Sequence, residues 1–296
     1  MDLTDRQHSV AVLGGDARQV YAADHLTRAG YAVKTYGLAA DTQRAIRCAS
    51  FEAAINEADI WLLPLPMTRD GFQITGTDIS VTQLVSRMSE KHTVFCGRPD
   101  TECLQKMSSR GSKVIDYSQD EVFMIRNAQP TAEGAVGIAM NEMRRTLFGS
   151  CALVVGYGRI GKLLSELLIR VGVDVTVAAR KDADLAYAAL RGCHTCKIIT
   201  REKGSELPAL SSGFHVIFNT VPVLLLDERM LEATDRETVL IDLASAPGGI
   251  DYDATNRLGL KTVVALSLPG KVAPLTAGEI IGDCVLSYMR GGDGSP

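Results

Sequence analysis

Short apolar runs rich in β-branched residues alternate with amphipathic segments along the whole chain of 296 residues. The amphipathic segments repeat their apolar positions every three to four residues, as in 81–89 and 162–171, which is typical of helices packed on a core. Regular alternation of strands with helices indicates βαβ units and parallel sheets. The predicted strands, which are many for one sheet, are Val10–Leu13, Ala32–Tyr36, Ile60–Leu63, Thr93–Cys96, Val114–Tyr117, Ala152–Val155, Asp174–Ala178, Cys196–Ile199, Val216–Asn219, Val239–Leu243 and Thr262–Leu266. We therefore expect an α/β protein with two doubly wound parallel sheets.

A long helical segment near the middle of the chain marks the expected domain boundary. Pro130 suits the first position of a helix, where its missing N–H costs nothing, and Gly149 suits the end. This pattern predicts an interdomain helix over 129–149, between an N-terminal α/β domain at 1–128 and a second domain at 150–272. A second long helix, at 273–290, follows the last strand and is expected to complete the first domain.

Composition narrows the class of protein. With 46% hydrophobic and 22% charged residues the chain is globular, and a net charge of −4 without a basic run argues against nucleic-acid binding. No apolar stretch reaches the ~18–20 residues that span a bilayer, and the polar N-terminus encodes no secretory signal. Seven cysteines, an odd number, indicate reduced thiols and a cytoplasmic protein. Cys193 and Cys196 have no second pair to complete a zinc site, so no metal site is predicted.

A glycine-rich turn between a predicted strand and a predicted helix is the strongest chemical signal. In a dinucleotide-binding unit the first glycine permits a tight turn, the second lets a pyrophosphate approach the backbone, and the third allows close helix–strand packing. A purely structural strand–helix turn is the alternative. The predicted cofactor-binding residues here are Gly156, Tyr157, Gly158, Arg159, Ile160 and Gly161.

The residues after the second strand of this unit indicate which nicotinamide cofactor it takes. An NAD site usually has a carboxylate there to accept a hydrogen bond from the ribose 2′-OH. This chain has Arg180 and Lys181, which suit the 2′-phosphate of NADP, whereas a solvated basic turn is the alternative. Asp182 and Asp184 follow closely and weaken the preference for NADP.

Three later segments follow strands at the sheet edge where open α/β sheets bind ligands. Their small and polar residues suit the wall of a nicotinamide site, although each segment alone is equally explained as an ordinary turn. The predicted cofactor contacts in them are Asn219, Thr220, Val221 and Pro222 in the first, Asp242, Ala244 and Ser245 in the second, and Leu268 and Pro269 in the third.

The first half of the chain has a different loop after its first strand, Gly14-Gly15-Asp16-Ala17-Arg18. It lacks the third glycine of a dinucleotide fingerprint. Two glycines before a charged pair at a helix N-terminus could hold a substrate carboxylate, with Arg18 as a bidentate donor. A helix cap with solvent-facing charges is the alternative.

Five motifs together resemble the family of the A-type subunit of dipicolinate synthase, over about residues 9 to 288. They are 14–18, 127–135, 156–161, 242–249 and 268–274. The resemblance implies NADP-dependent oxidation of a dihydrodipicolinate-type ring to dipicolinate, in spore formation, beside a second flavoprotein-like subunit. It also implies a fold similar to D-2-hydroxyacid dehydrogenases, with two Rossmann-like domains joined by two crossing helices. The chain departs from that wider group because no histidine follows His215, and Lys271 stands in the corresponding stretch.

Candidate catalytic residues follow from the chemistry that the resemblance implies. Two ring carboxylates need neutralising, by Arg18 and Lys271, with help from backbone N–H groups at Thr131 and Ala132 on the interdomain helix. Glu133 or water would take the proton, and Asp16 belongs to the same loop as Arg18. We also expect a homo-oligomer. The alternatives are an NADP-dependent dehydrogenase of another small acid (2-hydroxy, amino or cyclic imino) and a non-catalytic NADP-sensing module.

Overall fold

The structure is a computed structural model that describes residues 8–201, 204–206 and 213–291. The chain forms two compact units. Unit 1 takes the chain up to Asn127 and resumes at Ala273, and unit 2 runs from Ala128 to Val272. No helix in the described ranges is both long enough and apolar enough to cross a membrane.

Unit 1 is built on a parallel sheet, six-stranded in its described part, with the order β3-β2-β1-β4-β5-β6. The strands are β1 (Ser9–Leu13), β2 (Ala32–Tyr36), β3 (Ile46–Arg47), β4 (Ile60–Leu62), β5 (Thr93–Cys96) and β6 (Lys113–Asp116). Its helices are α1 (Ala17–Arg28), α2 (Phe51–Ile55), α3 (Val81–Arg87), α4 (Thr101–Ser108), the start of α5 (Glu121–Glu142), and α11 (Pro274–Met289). Tyr117–Gln119 forms one turn of 3₁₀-helix.

Both faces of this sheet are buried. One face packs against α1 and α11 through residues such as Leu26 and Val285, and the other buries Trp61. Glycine lets α11 approach α1 closely, since a Cβ at Gly278 would lie 2.5 Å from the carbonyl oxygen of Arg18. The last helix of the chain is therefore part of the core of unit 1.

Unit 2 repeats the architecture, with the described strand order β14-β13-β12-β7-β8-β9, all parallel. These strands are β7 (Cys151–Val155), β8 (Asp174–Ala179), β9 (His194–Lys197), β12 (Val216–Asn219), β13 (Val239–Asp242) and β14 (Lys261–Val264). A separate antiparallel pair is formed by β10 (Ile199–Arg201) and β11 (Gly204–Glu206). The helices are the rest of α5, α6 (Arg159–Arg170), α7 (Asp182–Leu190), α8 (Glu228–Glu232), α9 (Tyr252–Leu258) and α10 (Leu268–Val272).

The predicted fold class, α/β with two doubly wound parallel sheets, is confirmed. Strand β3 was not predicted because it has only two residues, both exposed, and no apolar run marks it. The predicted strand Cys196–Ile199 is wrong, since β9 ends at Lys197 and Ile199 begins the antiparallel pair.

The bounds predicted for the central helix are also wrong. Helix α5 begins at Glu121, after Asp120, whose carboxylate accepts a hydrogen bond of 2.7 Å from the N–H of Phe123. Pro130 therefore lies inside the helix, where it removes one intrahelical hydrogen bond without ending the helix. The helix ends at Glu142, and Gly149 serves a later turn, with a φ of +73°.

Candidate functional site

The glycine turn of unit 2 connects β7 to α6, and its first and third glycines have no room for a side chain. Gly156 has a φ of +99°, and a Cβ there would lie 2.3 Å from the hydroxyl oxygen of Thr220. At Gly161 a Cβ would lie 2.1 Å from the carbonyl oxygen of Gly156. The first and third glycines of the motif thus permit the tight turn and the close seating of α6 against it.

The middle glycine has a different environment. Gly158 is the N-cap of α6, a helix of 12 residues, and no side chain caps this helix among the described residues. No described atom outside residues 157–159 lies within 4 Å of a Cβ built at Gly158. Space in front of a helix N-terminus, where partial positive charge accumulates, fits a phosphate-bearing cofactor.

Asp242, at the end of β13, organises the loop beside this turn. Its carboxylate is completely buried and accepts hydrogen bonds from the Asn219 side-chain amide (2.9 Å) and the Tyr252 hydroxyl (2.6 Å). The backbone N–H groups of Ala244 (3.0 Å) and Gly249 (3.1 Å) complete the set. Burial, reinforced by the hydrogen bond to Asp242, raises the pKa of Tyr252, so its hydroxyl stays protonated and donates.

Hydrogen bonds within unit 2 occupy two of the side chains predicted to contact the cofactor, those of Asn219 and Thr220. Asn219 is also completely buried, and its amide nitrogen donates to the carbonyl oxygen of Val221 at 3.0 Å. The hydroxyl of Thr220 donates to the carbonyl oxygen of Val155 at 2.9 Å. The polar groups of Asn219 and Asp242 therefore support the loops at this edge from inside the unit. Pro222 and Ser245 lie in the same two loops, and Ser245 is exposed.

The segment predicted as the third loop forms a short helix instead. Leu268 and Pro269 are buried in α10, so their side chains belong to the core. Helix α10 packs closely on α5, because a Cβ at Gly134 would lie 3.2 Å from the side chains of Leu268 and Val272. Lys271, on the same short helix, is exposed.

Two predicted catalytic residues lie on α5 within unit 2. Thr131 is buried, and Glu133 is exposed. The carboxylate of Glu133 accepts a hydrogen bond of 2.8 Å from the side-chain amide of Gln129. The structure therefore places Thr131, Glu133 and Lys271 on two helices that pack against each other.

The first loop of unit 1 differs from its prediction. Asp16 is the N-cap of α1, accepting from the N–H of Arg18 at 3.0 Å and forming a capping box with Gln19. The Arg18 side chain is only 6% exposed, and its Nε and Nη2 donate to Asp16 at 2.9 Å each. Nη2 also donates to the carbonyl oxygen of Leu65. Two of the three nitrogens of the guanidinium predicted to bind a substrate carboxylate therefore already bind groups of unit 1.

The glycine turn of unit 1 is covered by the unit's own chain. The N–H of Gly15 donates to the carbonyl oxygen of Thr75 at 2.7 Å. A Cβ at Gly14 would lie 2.5 Å from that same oxygen. A backbone carbonyl thus stands at the turn where a nucleotide-binding unit would receive a phosphate. Of the two related turns, the one in unit 2 has the geometry for a dinucleotide.

The sequence did not predict several residues whose hydrogen-bond or ion-pair partners lie far away along the chain. Tyr252 binds Asp242 from the start of α9, and Lys162 and Lys197 pair with acids on α7. Arg69 lines a cavity of about 330 Å³ beside Asp16 in unit 1. No local motif marks any of these residues.

The cations predicted to select the cofactor lie where β8 ends. Arg180 follows the last strand residue, Ala179, and Lys181 is the N-cap of α7. Both are exposed, and neither forms an ion pair with another described residue.

Comparison with known proteins gives consistent results. Residues 9–118 match the family model described as the N-terminal domain of the A-type subunit of dipicolinate synthase. The A-type subunit of dipicolinate synthase from Bacillus subtilis (strain 168) is 29% identical over 292 residues, covering 95% of each chain.

Two crystal structures of such subunits share the fold over nearly their whole length. The structure from Bacillus halodurans is 27% identical, with a TM-score of 0.82, and the match covers 96% of this chain and 98% of that one. The structure from Bacillus subtilis is 25% identical, with a TM-score of 0.81, and the match covers 97% and 98%.

Proposed function

Because the chain resembles the A-type subunit of dipicolinate synthase from end to end, we propose that it is an oxidoreductase that converts a dihydrodipicolinate-type ring to dipicolinate (pyridine-2,6-dicarboxylate). The observation that supports this most is the glycine turn of unit 2, which leaves space at Gly158 before an uncapped helix. The corresponding turn in unit 1 is covered by Thr75. One nicotinamide cofactor per chain, bound to unit 2, is the proposal that follows.

NADP is the proposed cofactor. Strand β8 ends without a carboxylate, and the exposed Arg180 and Lys181 offer two positive charges for a 2′-phosphate. The backbone at Gly158, the N-cap of α6, would receive the pyrophosphate, since the N–H of Gly156 donates to the carbonyl oxygen of Ala178 and Gly161 serves the close packing of the helix. When bound, the cofactor accepts the hydride that the ring loses.

The residues of the chain then have to bind a dianionic ring and take one proton, since oxidation to the aromatic pyridine removes a hydride and a proton. Arg18 keeps one terminal nitrogen, Nη1, without a hydrogen bond among the described residues, and we assign it to one carboxylate. Lys271 is assigned to the other. The N–H groups of Thr131 and Ala132 were also expected to help, but they lie inside α5, which begins at Glu121, and not at a helix N-terminus. Glu133, held by Gln129, is the proposed proton acceptor.

The relatives are named as one subunit of an enzyme, which supports a further proposal about assembly. We propose that the chain works with a second, flavoprotein-like subunit, forms a homo-oligomer and serves sporulation.

Cofactor binding and turnover test the proposal separately. NADPH and NADH are titrated against the full chain, and dipicolinate formation from the dihydro ring with NADP⁺ is followed by absorbance, with and without the second subunit. We expect tighter binding of NADPH than of NADH, and dipicolinate as the product. Turnover of a different small acid from a substrate panel would replace the proposed substrate. Tight NADPH binding without turnover under any of these conditions would identify a sensing module.

A further inference from the structure

Helix α7 begins with two acids directly after the cations proposed to bind the 2′-phosphate. Asp182 is its first residue and Asp184 its third. A carboxylate at this place in a dinucleotide site accepts a hydrogen bond from the ribose 2′-OH and favours NAD. It would also repel a 2′-phosphate. Left uncompensated, the two acids would oppose the cofactor preference that Arg180 and Lys181 provide.

The structure pairs each acid with a lysine from another element. Lys197, the last residue of β9, donates from its Nζ to the carboxylate of Asp182. Lys162, on α6, places its Nζ 3.8 Å from the carboxylate of Asp184. The same Nζ lies 5.6 Å from the centre of the Tyr157 ring, in the glycine turn. The lysine on α6 thus connects the acid on α7 to the cofactor-binding turn.

Stability alone does not explain the pair of Lys197 with Asp182. The Asp182 side chain is 86% exposed, and exposed ion pairs contribute little to the free energy of folding, whereas the Asp184 side chain of the other pair is 27% exposed. Both pairs share one position, because α7 follows the cations directly. With both acids paired, the charges of Arg180 and Lys181 remain uncompensated at this edge of unit 2.

We propose that Lys162 and Lys197 are specificity-determining residues, which neutralise Asp184 and Asp182 and so preserve the preference for NADP over NAD. This inference rests on the proposed cofactor. It assigns to the lysines an indirect role, since they act through the two acids. It also explains how a chain with acids so near the adenosine end can favour a phosphorylated cofactor.

Two single variants and their compensated partners test the inference. Lys197→Met and Lys162→Met each remove the lysine that pairs with one carboxylate, Asp182 or Asp184 respectively. Dissociation constants for NADPH and NADH are then measured by calorimetry on the full chain. We expect NADPH binding to weaken about fivefold in each variant at low salt, with a smaller change at higher salt. NADH binding should hold or improve, because an uncovered carboxylate can accept from the 2′-OH. If the lysines contribute only general positive charge, each variant should instead bind both NADPH and NADH more weakly, which would contradict the inference.

Rescue and a matched control complete the design. The double variants Lys197→Met with Asp182→Asn, and Lys162→Met with Asp184→Asn, should restore NADPH binding to within about twofold. Lys261→Met is the control, because its Nζ pairs with Glu142 at 2.7 Å from the opposite edge strand of the same sheet. This control should leave the ratio of the two affinities unchanged.

The outcomes separate the inference from the proposed function. If the unmodified chain prefers NADPH and the lysine variants keep its ratio of affinities, the inference is wrong and the cofactor proposal stands. If the unmodified chain prefers NADH or binds neither cofactor, the cofactor proposal fails and the inference fails with it.

Discussion

Asp16 and Arg18 form a bidentate pair at the start of α1, with Nε and Nη2 of the arginine each donating to the carboxylate at 2.9 Å. Asp16 also caps the helix through the N–H of Arg18. Because Nη2 binds the carbonyl oxygen of Leu65 as well, the guanidinium has one orientation in unit 1. The pair leaves Nη1 as the nitrogen of Arg18 without a hydrogen bond among the described residues.

Replacing the acid of this pair should lower stability in a pH-dependent way. Burial acts to raise the pKa of Asp16, but the hydrogen bonds and charge of Arg18 outweigh it, so the pKa lies below the ordinary 3.8. A lowered carboxyl pKa stabilises the fold above the unfolded-state pKa, and this contribution is lost as the pH falls through the folded-state pKa. We expect Asp16→Asn to lose about 1–2 kcal/mol of unfolding free energy at pH 7, and less near pH 3.

Denaturant unfolding at the two pH values measures this effect. Asp41→Asn is the control in the same unit, because Asp41 pairs with Arg47 on the exposed surface and should cost less than about 0.5 kcal/mol. Equal losses for Asp16→Asn at both pH values would contradict the assigned role of the carboxylate charge.

The three glycines of the unit 2 turn should respond differently to alanine. Gly161→Ala places a methyl group 2.1 Å from a backbone oxygen and should cost at least about 2 kcal/mol of stability. Gly158→Ala meets no described atom outside residues 157–159 within 4 Å and should cost less than about 1 kcal/mol, yet it should abolish tight NADPH binding by filling the space for the pyrophosphate. Unfolding and cofactor titration on both variants measure the contrast. Undiminished NADPH binding by Gly158→Ala would place the cofactor elsewhere.

Removing one hydroxyl should show how strongly the buried acid of unit 2 is held. Tyr252→Phe deletes the donor 2.6 Å from Asp242 and leaves one carboxylate oxygen with a single remaining hydrogen bond. We expect a loss of about 1–3 kcal/mol, measured by denaturant unfolding, because a buried carboxylate oxygen loses a hydrogen bond. Tyr187→Phe, at an exposed position of the same unit, should be nearly neutral. A neutral Tyr252→Phe would show that the hydroxyl does not support Asp242.

Left-handed backbone at two non-glycine residues of unit 1 predicts stabilising substitutions. Glu57 has a φ of +63° and Arg98 a φ of +54°, with Pro99 following. Glycine adopts this conformation without a Cβ penalty, so Glu57→Gly and Arg98→Gly should each raise the unfolding free energy by about 0.5–1 kcal/mol. Lys91→Gly, at an exposed turn residue whose φ is not positive, should give no gain. Thermal or denaturant unfolding decides between these outcomes.

Lys271 should affect the ring substrate and leave the cofactor unaffected. Lys271→Met removes the charge assigned to one ring carboxylate, so KM for the ring should rise about tenfold or more while NADPH affinity stays the same. Lys271→Arg keeps the charge and should recover much of the loss. Unchanged steady-state kinetics in Lys271→Met would remove this residue from the site.

Local sequence determined much of the architecture, because strand alternation and glycine requirements depend on the backbone geometry of a few neighbouring residues. The parallel strands and the turn at Gly156 to Gly161 were predicted for this reason. Elements without a local signal were missed. Strand β3 has no apolar run. Helix α5 begins after its cap at Asp120, ahead of Pro130, where the sequence predicted the start.

Only the tertiary structure decided which polar groups are available for chemistry. The carbonyl of Thr75 covers the turn at Gly15 from a distant segment of the chain, and Lys197 reaches Asp182 from another strand. Such partners depend on which segments meet in space, and residue types at short spacing do not encode them. The residue types of the chain therefore indicated a phosphate-binding turn in the second half and a carboxylate-binding loop in the first, and long-range hydrogen bonding showed that unit 1 covers the first with its own chain.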